Sequence, residues 1–259
     1  MPAPTNTLKQ RFKAGDTTFG CWLSFAEAAP TEVVGTAGFD WLVIDGEHAA
    51  NDIRSIRDQL MALQSSPSQV IVRIPVGEPW IVKQVLDVGA QTILVPMVES
   101  GAQAQQMVRA CTYPPHGIRG VGATATRSSR FSTLTDYTRT ADDQISLIVQ
   151  VENRAGLAAL DDILAVEGID CVFIGPADLA ADMGHPGDMT HPKVHAAIVD
   201  TLGRIRDAGK VPGILSLSDE SIEAYLDAGA RFVAVGIDVI TLAQAARATA
   251  DRWIKSQRP

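Results

Sequence analysis

Eight apolar runs, each followed by a segment with helical features, constrain the fold of this chain more than any other feature. The runs occupy 18–25, 39–45, 70–74, 92–97, 145–152, 170–175, 211–217 and 232–237. Their length and their content of valine and isoleucine predict strands buried on both faces, as in parallel sheets. The segments between them carry helix signals, such as Pro79 at the start of one and Gly89 at its end. Strict alternation at this chain length predicts an α/β fold, a (β/α)8 or TIM barrel.

The alternation runs without a linker, a low-complexity tract or a charge run, so we predict one barrel domain over residues 1–259. A doubly wound open sheet is the alternative, but no predicted strand is followed by the GxGxxG turn of a dinucleotide-binding sheet. The irregular stretch 112–134 is long for a compact domain, and such loops are usually functional or mobile. Its residues Arg119, Arg127 and Arg130 either meet an acidic substrate or lie on a solvated surface.

Composition narrows the class of partner. The net charge of −8 and the pI of about 5.1 argue against nucleic-acid binding, which needs a basic face. No apolar run reaches the roughly 18 residues of a membrane span, and the N-terminus lacks the apolar core of a signal peptide. The three cysteines, Cys21, Cys111 and Cys171, form no CxxC pair. We therefore expect a cytoplasmic protein with buried thiols and no membrane or nucleic-acid partner.

Polar residues cluster where the predicted strands end, which is the catalytic face of a (β/α)8 barrel. Two of them are carboxylates, Glu152 after the fifth strand and Asp178 after the sixth. Two acids that converge at one edge, with positions open for water and substrate, suit a hard divalent cation such as Mg²⁺. The alternative is a pair of unrelated solvated acids. The full set of strand-end polar residues is Trp22, Ser24, Asp45, Glu47, His48, Arg73, Glu99, Gln150, Glu152, Asp178, Ser216 and Asp238.

Acid–base and anion-binding roles fit several of these residues. His48 is a candidate general base, because an imidazole titrates near neutral pH, and Asp45 is close enough in sequence to orient it or to engage a metal-bound water. Arg73 lies inside an apolar strand. It either pairs with Asp45 or Glu152 or holds an oxyanion of the substrate.

The substrate-binding candidates lie on the fifth and sixth strands. Gln150 and Glu152 alternate along one strand, so both side chains point to the same side. The turn that begins at Gly175 offers the backbone N–H groups of Ala177 and Asp178 to a carboxylate, since Pro176 has none.

Several stretches of the chain resemble the HpcH/HpaI aldolase family of class II pyruvate aldolases. A citrate-lyase-like relative that acts on CoA thioesters shares the barrel but matches these stretches less closely. They cover nearly the whole chain, and GIRGVG and FIGPADL are the most specific. The matching stretches are FDWLVIDGEHAAND (39–52), VRIP (72–75), VLDVGAQTILVPMVES (85–100), YPPHGIRGVG (113–122), IVQVENRAGL (148–157), VFIGPADLAADMG (172–184) and FVAVGID (232–238).

The resemblance implies a barrel of the phosphoenolpyruvate/pyruvate type and a reaction. Family members reversibly cleave 4-hydroxy-2-oxo acids to pyruvate and an aldehyde such as succinic semialdehyde, and hydroxypyruvate is a second possible donor. By resemblance, Glu152 and Asp178 are ligands of Mg²⁺, Mn²⁺ or Co²⁺. Arg73 stabilises the transition state and His48 is the base. Asp87, supplied by a neighbouring subunit, raises the basicity of that histidine.

The resemblance also implies the substrate contacts and the assembly. By resemblance, Gln150, Ala177 and Asp178 bind substrate, and Trp22 and Leu215 are apolar residues of the pocket. The segment 123–131 contacts the aldehyde, and its arginines favour an acidic one. Family members are homohexamers, trimers of dimers that swap a C-terminal helix, and the apolar helix predicted from Val239 onward suits that exchange.

Two other functions remain open on the sequence. One is a CoA-ester lyase of the citrate lyase or malyl-CoA lyase type, which would cleave CoA esters and leave free hydroxy-oxo acids intact. The other is a barrel that binds a metabolite without turning it over. Its binding of pyruvate would survive a His48→Ala change.

Overall fold

The computed structural model describes residues 1–254 and contains a closed barrel of eight parallel strands in chain order. Each strand pairs with its neighbour in sequence, and β1 pairs with β8 to close the barrel. The predicted (β/α)8 fold is therefore confirmed. The strands are β1 (Thr18–Leu23), β2 (Trp41–Asp45), β3 (Gln69–Arg73), β4 (Thr92–Val95), β5 (Ser146–Val151), β6 (Cys171–Ile174), β7 (Val211–Leu215) and β8 (Phe232–Ile237).

The helices surround this barrel. Four single 3₁₀ turns accompany them, at Leu63–Ser65, Ala123–Ala125, Arg127–Ser129 and Asp142–Gln144. The sequence pattern predicts that a last helix fills most of residues 239–255, of which Lys255 lies outside the described residues. The helices are α1 (Thr7–Ala14), α2 (Ala28–Gly35), α3 (Ile53–Ala62), α4 (Pro79–Asp87), α5 (Gly101–Cys111), α6 (Tyr137–Thr140), α7 (Arg154–Ala158), α8 (Leu160–Leu164), α9 (Pro176–Asp182), α10 (Pro192–Asp207), α11 (Asp219–Asp227) and α12 (Asp238–Ile254).

Local sequence signals explain most helix ends. Pro79 and Pro192 occupy the first helical position of α4 and α10, where the missing N–H costs nothing. The N-cap of α3 is Asp52. The Asp52 carboxylate accepts from the backbone of Ser55 at 2.9 Å, and the Ser55 hydroxyl accepts in return from the Asp52 N–H. Within residues 1–254, none of the helices combines the length and apolar character that crossing a bilayer requires.

The barrel interior is filled by aromatic side chains. Trp41 stacks on Phe232 with ring centroids 3.9 Å apart, and Trp22 and Phe173 pack in the same cluster. Gly20 lies against Trp41, and a Cβ at this position would collide with the indole ring. The barrel interior at the bottom, where the strands begin, is thus filled by side chains.

Helix α1, which the strand pattern does not predict, covers the bottom of the barrel. Leu8 and Phe12, one turn apart, are buried in the interior cluster, and Phe12 meets Phe232 edge-on at 5.4 Å. The sequence does hold its signals. Asn6 caps the first turn, and Gly15 ends the helix in a left-handed conformation with φ of 75°.

The long loop 112–134 lies at the same end as α1. Arg127 donates hydrogen bonds to Val88 O and Leu60 O, at the C-terminal ends of α4 and α3. Helices of a (β/α)8 barrel run antiparallel to the strands, so their C-terminal ends mark the end of the barrel where the strands begin. The loop therefore packs beneath β3 and β4, away from the strand ends.

Candidate active site

A cavity of about 270 Å³ opens at the carboxyl ends of the strands. It lies where the barrel rule places an active site. Nearly all of the predicted site residues line it, and Asp87 does not. The lining residues are Trp22, Ser24, Asp45, His48, Arg73, Gln150, Glu152, Phe173, Gly175, Pro176, Ala177, Asp178, Met189, Leu215 and Ile237.

Arg73 ends β3 and is held from two sides by carboxylates of the β2 end. Its Nε and Nη2 donate to Asp45 at 2.8 and 2.6 Å, and its Nη1 lies 2.7 Å from Glu47 Oε2. Its guanidinium also lies 5.4 Å from the Trp22 ring centroid. The buried cation is thereby paired in a bidentate geometry that lysine could not reproduce. Of the two partners expected for Arg73, the structure selects Asp45 over Glu152.

His48 lies on the loop after β2, with 65% of its side chain exposed at the cavity mouth. Its Nε2 is 3.9 Å from Glu47 Oε2. Asp45 was expected to orient the imidazole. Instead, its carboxylate accepts from the backbone N–H groups of Glu47 and His48, at 3.0 and 3.3 Å. Asp45 therefore orders the loop that carries His48 and leaves the ring itself free to meet a substrate.

Glu152 and Gln150 point into the cavity together, as the period of a strand predicts. The Gln150 amide donates to Glu152 Oε2, and the Met97 N–H donates to Oε1 at 2.8 Å. Burial, with a smaller contribution from the charges of Glu47 and Asp178, raises the pKa of Glu152 to about 7 despite these hydrogen bonds. Burial likewise raises the pKa of Glu47, with Arg73 and His48 opposing the shift.

Gly175, Ala177 and Asp178 bring the end of β6 to the same place. Gly175 follows β6 and precedes α9, and Ala177 and Asp178 lie exposed in the first turn of that helix. A Cβ at Gly175 would collide with the Glu152 carboxylate and crowd the Gln150 amide. Only glycine allows these three elements to approach so closely.

This donor set fits a hard divalent cation. The charges of Glu47 and Asp178 disfavour the ionisation of Glu152, so a cation beside these carboxylates would relieve the repulsion. Gln150 Oε1 is also buried without a hydrogen-bond partner. Residues 1–254 contain no group of three or more His, Cys, Asp or Glu side chains arranged to hold a metal. A cation held by two carboxylates would complete its shell with water and substrate oxygens, as Mg²⁺ commonly does.

Apolar residues also line the cavity. Trp22 and Leu215, both expected in the pocket, lie here with Phe173, Ile237 and Met189. Met189 comes from the loop between α9 and α10 and is 41% exposed. The lining of the cavity thus contains both charged and apolar residues.

Asp87 lies elsewhere in the chain, at the end of α4. Burial raises its pKa, and the nearby charges of Arg119 and Lys83 oppose that shift. Its Oδ1 is 3.9 Å from Arg119 Nη2. The chain does not bring Asp87 to its own His48, so any role at an active site requires a second subunit.

The loop arginines are not in the cavity either. Arg119 is fully buried, 4.4 Å from the Tyr113 ring centroid, and its Nη2 donates to the Tyr137 hydroxyl oxygen at 3.2 Å. Arg127 caps two helices at the far end of the barrel. Within one chain Arg119 and Arg127 therefore do not reach the cavity, because the loop packs under the barrel rather than over its mouth.

Four residues of this site received no role in the sequence analysis: Glu47, Phe173, Ile237 and Met189. Glu47 stood among the strand-end residues without a role, although it pairs with Arg73. Phe173 and Ile237 face the cavity from β6 and β8, where strand alternation alone could have placed them. Met189 belongs to a loop, and no local pattern could have placed it there.

The fold and the cavity define a (β/α)8-barrel protein with an acidic site at the strand ends. The family model for HpcH/HpaI aldolase/citrate lyase matches residues 18–245. The chain belongs to this family. The predicted enzyme class, a pyruvate aldolase and carbon–carbon lyase, is confirmed.

Named relatives agree with this assignment. A hydroxypyruvate/pyruvate aldolase of Roseovarius nubinhibens is 59% identical over 253 residues, which are 98% of each chain. A 4-hydroxy-2-oxo-heptane-1,7-dioate aldolase of Escherichia coli is 48% identical over 248 residues, covering 96% of this chain and 95% of the relative. A crystal structure of a family member from Burkholderia cenocepacia J2315 matches with a TM-score of 0.92 and 40% identity, over 96% of this chain and 99% of that one.

Proposed function

We propose that this protein is a divalent-metal-dependent aldolase that reversibly cleaves 4-hydroxy-2-oxo acids to pyruvate, or hydroxypyruvate, and an aldehyde. The observation that carries the proposal is the cavity in which Glu152, Asp178, Gln150, Arg73 and His48 converge. The names of two relatives, hydroxypyruvate/pyruvate aldolase and 4-hydroxy-2-oxo-heptane-1,7-dioate aldolase, support the same reaction.

Glu152 and Asp178 would hold the cation, which we propose to be Mg²⁺, Mn²⁺ or Co²⁺. When bound, it supplies Lewis-acid polarisation of the substrate ketone. Gln150 and the backbone N–H groups of Ala177 and Asp178 orient the 2-oxo acid beside it. Among residues 1–254, no lysine lines the cavity, so a Schiff-base mechanism lacks its nucleophile here.

His48 takes the proton from the 4-hydroxyl group, and its exposed position at the mouth allows that contact. The O–H electrons then form the aldehyde carbonyl as the C3–C4 bond breaks, and the electrons of that bond form the enolate of pyruvate. Arg73 offsets the enolate charge. Its Nη2 donates one N–H to Asp45, and its Nη1 forms an ion pair with Glu47. A guanidinium carries two N–H groups at each of these nitrogens, so a donor remains for the enolate. Return of a proton to C3 yields pyruvate.

We further propose a homohexamer that exchanges helix α12, since the helix is largely exposed past Asp238 in the single chain. Its apolar side chains Leu242 and Ile254 are 57% and 50% exposed in the single chain. Exposed apolar surface of this kind is typical of an interface with another subunit, which would remove it from water. In such an assembly Asp87 reaches His48 of a neighbouring subunit. Light scattering on the full-length protein would give the mass of a hexamer, and Leu242→Asp would lower it. A monomeric mass for the parent protein would contradict this assembly.

Pyruvate release from a racemic 4-hydroxy-2-oxo acid tests the reaction. The protein is stripped with EDTA, then given Mg²⁺, Mn²⁺ or Co²⁺ in turn. Release that stops with EDTA and returns with metal supports the aldolase. Cleavage of malyl-CoA or citramalyl-CoA without release from free acids would favour the CoA-ester lyase. Pyruvate binding without any turnover would favour a non-catalytic barrel.

A further inference from the structure

Met97, which follows β4 and Pro96, has an unusual backbone conformation. Its φ is 54°, in the left-handed region that residues with a side chain rarely adopt. Within residues 1–254, four other residues besides glycine have positive φ, and Met97 is the one whose N–H donates to a residue of the cavity. That residue is Glu152, one of the two proposed metal ligands. Strained backbone of this kind concentrates at functional sites, so the contact between Met97 and Glu152 indicates a role in the site.

The left-handed turn directs two successive N–H groups to the same neighbouring strand. Met97 N donates to Glu152 Oε1 at 2.8 Å, and Val98 N donates to the carbonyl oxygen of Gln150 at 3.0 Å. In an extended strand successive N–H groups point to opposite sides, so one of these two bonds would be lost. A left-handed residue brings neighbouring N–H groups to one side. The conformation of Met97 therefore allows this turn to bind β5 and the Glu152 carboxylate together.

Glu152 is oriented by donors on both of its oxygens. Besides the Met97 N–H on Oε1, the Gln150 amide donates to Oε2. A carboxylate has about four acceptor sites, so these bonds fix its direction and leave other sites for a cation. A glutamate that is already held loses less side-chain freedom when it binds a cation, and binding is stronger for that reason.

Helix α5 holds the turn from the other side. The Gln103 amide donates to Met97 O at 3.2 Å and accepts from Glu99 N at 2.9 Å. The Met97 side chain makes no part of the cavity lining of its own chain and is 44% exposed in the single chain. What position 97 supplies to the site is therefore a backbone conformation.

We propose that Met97 is a positioning residue of the metal site, which acts through its backbone N–H on Glu152 and not through its side chain. The left-handed conformation is the property that the site requires at this position, and the N–H holds the carboxylate in the direction in which it takes a cation. This inference rests on the proposed metal binding by Glu152, and it adds the residue that holds this ligand in place.

Two substitutions separate the conformation from the side chain. Met97→Asn changes the side chain to one that tolerates the left-handed region, so Mn²⁺ affinity is expected to stay within about twofold of the parent value. Met97→Ile keeps an apolar side chain, but a β-branched residue strongly disfavours that region. Its Mn²⁺ affinity is expected to fall by about 10–100-fold, the usual effect of losing a group that orients a metal ligand.

Calorimetric titration of the EDTA-stripped proteins with Mn²⁺ measures both affinities. The opposite order, with loss in the Asn variant and parental affinity in the Ile variant, would overturn the proposal, because the side chain would then be the functional part of Met97.

Ser132→Ile is the matched control. Ser132 also has positive φ, 71°, but it does not line the cavity, and its N–H donates to the Ser129 hydroxyl oxygen. The variant introduces the same strain elsewhere, so it is expected to lose stability and to keep parental Mn²⁺ affinity. An equal loss of Mn²⁺ affinity in the control would mean that strain anywhere in the chain weakens the site, and would overturn the role of Met97.

Replacement of Met97 by the corresponding α-hydroxy acid removes the N–H and keeps the side chain, so it tests the contact even if Met97→Ile does not fold. Mn²⁺ affinity is again expected to fall by at least about tenfold, and an unchanged affinity would refute the positioning role. Titration of the parent protein separates the two proposals. A parent protein that binds no Mn²⁺ would refute the metal site itself, whereas equal Mn²⁺ binding by the parent and by every Met97 variant would refute the positioning role alone.

Discussion

Arg73 and Asp45 are cross-strand partners in the β2–β3 register, and their side chains meet in a bidentate ion pair of 2.8 and 2.6 Å. The pair lines the cavity at the point where β2 ends and the loop with Glu47 and His48 begins. Because Arg73 holds two carboxylates at once, its planar geometry matters as much as its charge.

Arg73→Lys is therefore expected to fail, although it keeps the charge. An ammonium cannot satisfy Asp45 and Glu47 and still face the enolate, so we expect kcat to fall by about 10²–10³, as when an oxyanion donor is removed. Steady-state pyruvate release measures the loss. Arg57→Lys, at an exposed arginine of α3 paired with Asp58, is the control and should keep parental turnover. Full activity of the Arg73 variant would show that the reaction does not need the guanidinium group.

Glu152→Gln should remove metal binding. The amide preserves size but not charge, and we expect Mn²⁺ affinity to fall by at least about 100-fold, the upper end of what loss of an outer-shell partner costs. Calorimetric titration of the EDTA-stripped protein measures it. Glu99→Gln is the matched control, since this acid follows β4 but does not line the cavity. Unchanged Mn²⁺ affinity in the Glu152 variant would disprove the ligand assignment.

His48→Asn should separate binding from chemistry. We expect kcat to fall by about 10²–10⁴, the usual contribution of a general base, while Mn²⁺ and pyruvate still bind. Rapid-mixing kinetics measure the fall in kcat, and titration with pyruvate measures the retained binding. His116→Asn, in the exposed loop after α5, should behave as the parent. Parental turnover in the His48 variant would require a different base.

Leu8→Ala tests the packing of α1 under the barrel. Leu8 is fully buried in the interior cluster, so its truncation should cost about 2–5 kcal/mol of unfolding free energy. Met61→Ala, at a side chain that is 53% exposed, should change stability by less than about 0.5 kcal/mol. Urea unfolding measures both. Equal effects would show that α1 is not docked in solution.

The buried thiols predict a loss of stability at alkaline pH. Burial raises the pKa of Cys111 to about 12. Below the thiol pKa of about 8.5 that an unfolded chain has, the folded and unfolded states bind this proton equally. As pH rises toward 12, only the unfolded state ionises, so stability should fall by about 1.4 kcal/mol per pH unit for this group.

Urea unfolding at pH 8, 9 and 10 under reducing conditions would measure that slope, which Cys111→Ala should reduce. Cys171, whose pKa burial also raises, contributes in the same direction. An identical slope in the Cys111 variant would assign the alkaline transition to other groups.

Much of the fold follows from local pattern. The eighth strand was predicted at 232–237 and is found at Phe232–Ile237, because a run of β-branched and small apolar residues stays in the core wherever it pairs. Gln150 and Glu152 face one cavity because side chains alternate along any strand. The sequence by itself thus determined the eight strands, the end of the barrel that carries the site, and most of the residues in it.

Tertiary structure decided the rest. Arg73 could pair with Asp45 or Glu152 until the β2–β3 register placed Asp45 directly beside it. Met189 entered the cavity through a loop, and Arg127 was drawn under the barrel by the carbonyl groups at two helix ends. These placements depend on contacts between residues far apart in sequence, which barrel closure creates and which no local periodicity encodes.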